Sequence, residues 1–235
     1  MAEPHRHHHA EHHDDLSLEE KRANLTAHVW DERYAGSDRV WSGNPNVRLV
    51  EQAAGLTPGR ALDVACGEGG DAIWLAEQGW DVTAVDVSPV ALGKVREHAA
   101  ARGVRVTTAI WDALGQAVPG TSGAFDLVTV SFLHVPAQDF AGIYRRIAAA
   151  VAPGGRLLVT AHHPHDVESG VRRPHGDGLL FEPERVLSAL GAPGDGWEVE
   201  VADTAAREQD GPDGPVQVRD TVVRLRRERG ANPAR

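Results

Sequence analysis

Five short apolar runs set the frame for this chain. ALDVA (residues 61–65), DVTAVDV (81–87), VRVTTAI (104–110), AFDLVTVSF (124–132) and RLLVTA (156–161) each have the length and the β-branched content of a buried strand. Helix-like segments separate most of them. Residues 71–78 close at Gly79. Ser88 is placed to cap the next helix with Pro89 in its first position, and Gly103 ends it. Phe140, Ile143, Tyr144, Ile147 and Val151 then fall on one helical face before Pro153-Gly154-Gly155 breaks it. Strands alternating with helices imply a mostly parallel sheet covered on both faces. Right-handed crossovers make it a doubly wound α/β sheet.

The flanks complete one domain. Residues 16–34 read as a single helix with Leu25, Val29 and Trp30 near one face. WSGNPN (41–46) is a turn cluster, and 47–54 is a short helix closed by Gly55. Residues 182–190 form a last helix. WEVEVAD and VQVRDTVVRL follow as two closing strands around a turn at 210–215. The domain therefore spans 16–227: an N-terminal helical cap at 16–58, a core at 59–161, and a segment at 162–227 holding a loop and the terminal strands. Residues 1–15 are a tail with six of the thirteen histidines, and the charged end at 228–235 is expected to fray.

Charge and composition narrow the partners. Asp and Glu outnumber Lys and Arg by 34 to 24, giving a net charge of −10, so the chain lacks the basic footprint that gripping nucleic acid or an anionic membrane surface needs. The longest apolar runs are too short to span a bilayer, and no N-terminal stretch resembles a secretory signal. Cys66 is the single cysteine, which excludes an internal disulfide. A cytoplasmic protein without nucleic-acid or membrane partners is expected.

In a doubly wound sheet, ligands bind beyond the carboxyl ends of the strands, at the point where the strand order reverses. After the first strand comes DVACGEGGD (63–71). Its glycines allow a tight turn into a helix N-terminus, which favours negative charge. Asp63 lies inside that strand, and a buried carboxylate there needs a cationic or N–H partner. Asp86 ends the second strand, about 20 residues past the glycine turn, where an acid accepts from vicinal ribose hydroxyls. The competing role for Asp86 is to help cap the Ser88 helix. After the third strand, Trp111 could lie against a purine and Asp112 could accept from its amine.

Taken in order, LDVACGEGGDA, VTAVDVSPVAL, WDAL, FDLVTVSFLHV and VAPGGRLLVT resemble the successive motifs of the class I S-adenosylmethionine-dependent methyltransferases. Within that family, WDERYAGSDRVWSGNPN and GLLFEPERV are similar to the tellurite-resistance and thiopurine-type small-molecule enzymes. The resemblance implies a Rossmann-like seven-stranded sheet with its last strand inserted antiparallel. It makes 59–161 the cofactor-binding core and S-adenosylmethionine the cofactor, with S-adenosylhomocysteine as product. By the same resemblance, Gly67 and Gly69 approach the methionyl part, and Asp63 with the backbone at Ala65 holds its amino group. Asp86 binds the ribose, Asp112 accepts from the adenine amine, and Trp111 or Val87 lies against the ring. Ser131 faces the methionyl part, while Tyr34 and Trp41 close over sulfonium and substrate. Cys66 is read as packing.

The resulting expectation is in-line methyl transfer to a small-molecule nucleophile: a thiol, a chalcogen oxyanion or another small acceptor. Candidate bases or positioning groups are His134, His162 and His163, with His165 close by; Arg172 and Arg173 could steer an anionic substrate. HHPHD (162–166) is interrupted by proline and no second cluster completes a metal site. Two other readings share the architecture. A nicotinamide-dependent oxidoreductase wants a third glycine where Ala72 stands. A non-catalytic module would keep the pocket and lose the chemistry.

Overall fold

A computed structural model describes residues 17–115, 118, 122–167, 179–211 and 214–230. The histidine-rich tail and the Arg172-Arg173 pair lie outside them.

The core is a seven-stranded sheet in the order β3-β2-β1-β4-β5-β7-β6. Its parallel part comprises β1 (Arg60–Val64), β2 (Asp81–Asp86), β3 (Thr107–Ile110), β4 (Phe125–Ser131) and β5 (Val151–His162). β7 (Gly214–Arg227) lies antiparallel between β5 and β6 (Trp197–Gly211). This is the sheet expected from the sequence, with its last strand inserted antiparallel.

Both faces are covered, so side chains alternate between two apolar layers. Leu62 and Val64 of β1 join one layer, and Ala61 joins the other. Fully burying a side chain such as Leu62 is worth about 2 kcal/mol. α4 (Gly70–Glu77) and α5 (Pro89–Ala101) connect the first three strands, and α6 (Ala137–Ala148) leads into β5. Local chemistry starts these helices: the Ser88 hydroxyl accepts from the Ala91 amide at 3.0 Å, with Pro89 beside it as read from the sequence.

Three boundaries differ from expectation. The single helix at 16–34 is two, α1 (Leu18–Ala23) and α2 (Ala27–Ala35). The break falls at Asn24–Thr26, where the Thr26 hydroxyl donates to the Ala23 carbonyl and offers the backbone a turn instead. Val151 does not continue the face of α6. It opens β5, which begins before the Pro-Gly-Gly and absorbs it through a register shift opposite Phe125 and Leu127. The closing strands are also longer than their apolar cores, because they pair with each other past the end of β5 at His162.

The N-terminal cap is held from two sides. Asp31 of α2 accepts from the Ser88 hydroxyl and from the Val90 amide, fixing α2 over the start of α5. α3 (Val47–Ala53) sends Arg48 to Asp220 of β7 at 3.2 Å. α7 (Pro183–Leu190) packs on α6 and the closing hairpin.

Candidate functional site

The strand order reverses between β1 and β4, and both strands end in strained backbone. Ala65, just past β1, and Phe132, just past β4, each have φ of 56°. A non-glycine residue in this region costs on the order of 1 kcal/mol and is tolerated only where surrounding contacts impose it. The two strained turns flank the crevice where a doubly wound sheet binds its ligand.

The loop after β1 is woven into the cap. The Gly67 amide donates to Asp86 Oδ2 at 2.9 Å, tying the ends of β1 and β2 together. A Cβ on Gly67 would lie 3.0 Å from Tyr34 Oη and 3.2 Å from Trp41 Nε1; one on Gly70 would lie 2.8 Å from the Asn44 carbonyl. Gly69, with φ of 87°, leaves room for Val95 of α5. The glycines thus give space to protein as well as to any ligand. Trp41 Nε1 donates to Tyr34 Oη at 3.1 Å, and Tyr34 is only 3% exposed. Burial pushes the Tyr34 phenol well above its usual range, with the Asp86 charge adding to it.

Three carboxylates interact beside Tyr34. Asp63 is 2% exposed, and its Oδ2 has no hydrogen-bond partner among the described residues. Burial, then the charges of Asp71 and Asp86, push its carboxyl well up; the Ala72 amide opposes the shift. Asp71 accepts from the Asn46 amide at 2.6 Å and from the Ser131 hydroxyl at 2.8 Å, yet burial still raises it. Asp86 accepts from Gly67 and from the Ser88 amide, both at 2.9 Å, and burial raises it too. No salt bridge among the described residues reaches any of the three. Three buried carboxylates, one with an unpartnered oxygen, suit a ligand carrying an ammonium and a sulfonium charge. Asp86 also takes the capping role that the sequence offered as its alternative.

The remaining expected residues separate into two groups. Val87 is half-buried beside Asp86, and Asp112 is half-buried with its Oδ1 accepting from the Leu114 amide. Trp111 is placed differently: its indole is 2% exposed and belongs to the apolar core with Val85 and Val128, so of the pair named for the ring only Val87 is left accessible. Beyond β4 and β5, the His162 ring stacks on Phe132 at 4.3 Å and on His134 at 5.4 Å. His163 is not part of that stack. It lines a separate open cleft of about 320 Å³ with Glu182, Pro183, Glu184 and Asp203, and its Nδ1 accepts from the His165 amide. Burial lowers the His163 imidazole below its usual value.

Two acids of the glycine loop carry more than the sequence suggested. Glu68 accepts from the Val40 and Trp41 amides, and Asp71 holds Asn46 and Ser131. Both stand within DVACGEGGD, so position was the available signal; their partners lie on distant segments that spacing does not reveal.

The fold and the acidic crevice define a ligand-binding α/β domain of the nucleotide-cofactor type. Comparisons with known proteins narrow it. Residues 61–155 match the family described as a methyltransferase domain. The demethylmenaquinone methyltransferase of Thermus thermophilus is 37% identical over 161 residues, covering 66% of this chain and 67% of that protein. The 2-heptyl-1-hydroxyquinolin-4(1H)-one methyltransferase of Mycobacteroides abscessus is 31% identical over 151 residues, covering 61% of this chain and 63% of that protein, so the chain spans less than two thirds of this second relative. A protein solved in work on the conversion of a disulfide bond into a thioacetal group during echinomycin biosynthesis shares the fold. Its TM-score is 0.70 at 24% identity, over 88% of this chain and 94% of that one. The chain belongs to the class I S-adenosylmethionine-dependent methyltransferases. Its cofactor is S-adenosylmethionine. No helix among the described residues is long and apolar enough to cross a membrane.

Proposed function

We propose that the protein methylates a small, planar ring compound at a hydroxyl group, by in-line displacement. The observation that carries this reading is the stack of Phe132, His162 and His134 at the ends of β4 and β5. Three flat rings side by side favour a flat partner. Two relatives support a planar ring acceptor by name, one for demethylmenaquinone and one for a hydroxyquinolinone; of these two names the second carries the hydroxyl.

S-adenosylmethionine supplies an electrophilic methyl group on positively charged sulfur. The other requirements fall on the chain. Asp63 holds the amino group through its open oxygen, Asp86 holds the ribose hydroxyls, and Val87 with Asp112 receives the adenine. Gly67, Gly69 and the backbone at Ala65 line the methionyl part, and Ser131 shapes it by fixing Asp71. Tyr34 and Trp41 exclude water above the reacting carbon. His162 takes the hydroxyl proton on its imidazole, and His134 braces that ring. Arg172 and Arg173 steer an acceptor that carries negative charge.

The test is a mass-spectrometric methylation assay with hydroxyquinolones, hydroxylated quinols, small thiols, selenite and tellurite in parallel. Methylation of ring hydroxyls is expected. His162→Ala should cut it by roughly 10²- to 10⁴-fold, the range for losing a general base, while His163→Ala should leave it nearly intact. Methylation of thiols or chalcogen oxyanions alone would overturn the ring reading in favour of a soft acceptor. Tight cofactor binding with no methyl transfer to any of them would mark a non-catalytic module.

A further inference from the structure

Glu68 sits between Gly67 and Gly69 in the loop after β1 and is only 3% exposed. Its bonds all run to the cap and to α5. Oε2 accepts from the backbone amides of Val40 and Trp41, each at 2.9 Å. Oε1 accepts from Lys94 Nζ at 2.9 Å. The same ammonium donates to the Ser37 carbonyl at 2.5 Å and to the Asp38 carbonyl at 3.1 Å. One carboxylate and one ammonium thus hold four points of the strap at 37–41, at Ser37, Asp38, Val40 and Trp41. Burial alone would push the Glu68 carboxyl up; the Trp41 amide, Lys94 and the Val40 amide more than offset it and leave it below the ordinary value.

Trp41 is 46% exposed, and its indole is held by Tyr34 Oη and by Arg33, whose guanidinium lies 4.9 Å from the ring centre. Yet this indole lies against Gly67, whose amide donates to Asp86.

We propose that Glu68 is a positioning residue that latches Trp41 and the 37–41 strap over the cofactor crevice, with Lys94 as the second half of the latch, and that its opening gates cofactor entry and product release. The proposal rests on the crevice taking S-adenosylmethionine. All of the latch bonds are protein to protein. Weakening them therefore raises the open population of the free and the loaded protein alike. Association and release both speed up, and their ratio, the dissociation constant, barely moves. A residue that merely shaped the pocket would change the dissociation constant instead.

The experiment is a pair of rapid-mixing measurements on the full chain: association of radiolabelled S-adenosylhomocysteine, and its release into an unlabelled chase. Glu68→Gln and Lys94→Met are each expected to raise both rates by about tenfold, the scale of one charge-assisted hydrogen bond. The double variant should be faster than either single one, but by less than the product of the two effects, because Glu68 and Lys94 hold different points of one strap and share one bond. If Glu68→Gln does not fold, Lys94→Met decides alone. Unchanged rates in variants that still bind would overturn the latch. So would a weakened dissociation constant with unchanged association. Failure of the wild-type protein to bind at all would overturn the cofactor reading along with it, and the wild-type control separates that case.

Discussion

The Ser131 hydroxyl donates to Asp71 Oδ2 at 2.8 Å, joining the end of β4 to the first turn of α4. The same carboxylate takes the Asn46 amide on its other oxygen. One acid thus fastens the central sheet, the loop helix and the start of α3, whose N-cap residue is Asn46.

Ser131→Ala removes that donor and leaves a buried carboxylate oxygen without it. Stability should fall by about 1–2 kcal/mol. Urea unfolding at neutral pH checks the value; a loss below a few tenths of a kcal/mol would mean the bond contributes nothing net.

Asp63, Asp71 and Asp86 all titrate above the ordinary aspartate value of 3.8, with burial the largest cause. A carboxyl raised on folding lends stability while it is protonated. That contribution is full below the unfolded value and is lost as pH rises through the folded one. The ligand-free protein should therefore lose stability from these three groups as pH climbs above about 4. Saturating S-adenosylmethionine should flatten the loss, because its cationic groups favour the ionised acids. Proton release on binding, read by calorimetry in two buffers of different ionisation heat, checks the sign. S-adenosylhomocysteine, without the sulfonium charge, should release fewer protons.

Asp63→Asn keeps the shape and deletes the charge. Affinity for S-adenosylmethionine should drop at least about tenfold, as expected for losing a charged hydrogen bond. The unfolding midpoint without ligand should hold or rise, since a repelling buried charge is gone. A lower midpoint with unchanged affinity would show that Asp63 serves the strand and not the ligand.

Asp220 is wholly buried and takes Arg48 Nε at 3.2 Å and Arg207 Nε at 2.8 Å on one oxygen. Replacing it with Ala leaves the buried Arg48 guanidinium without its central partner. A loss of about 3–5 kcal/mol is expected, measured by denaturant unfolding. Arg156, paired with Glu200 nearer the surface, should give a far smaller loss on the same measurement.

Much of this was legible in the chain. The five apolar runs gave the parallel strands, and Ser88-Pro89, Gly79 and Gly103 gave helix ends, because caps and turns are settled by the chemistry of adjacent residues. The acid at 63 inside the first strand and the acid at 86 ending the second could be placed for the same reason. Less legible were features that depend on neighbours far along the chain. Trp111 follows a strand as a ring-facing residue would, but the apolar layer beside it takes the indole. His162 and His163 are adjacent in sequence, and the end of β5 sends them to different surroundings. Thr26 breaks a helix whose apolar spacing runs straight through it.

The sequence by itself determined the alternation of strand and helix, the glycine turn into α4 and the acids around it, since periodicity and turn geometry are local properties. Only the tertiary structure decided who partners those acids. Glu68 meets the strap at Val40 and Trp41, Asp71 meets Ser131, and Arg48 meets Asp220, 172 residues away. A buried charge must find its donor wherever packing brings one within about 3 Å, and that distance is set by how helices and strands close on one another, not by position along the chain.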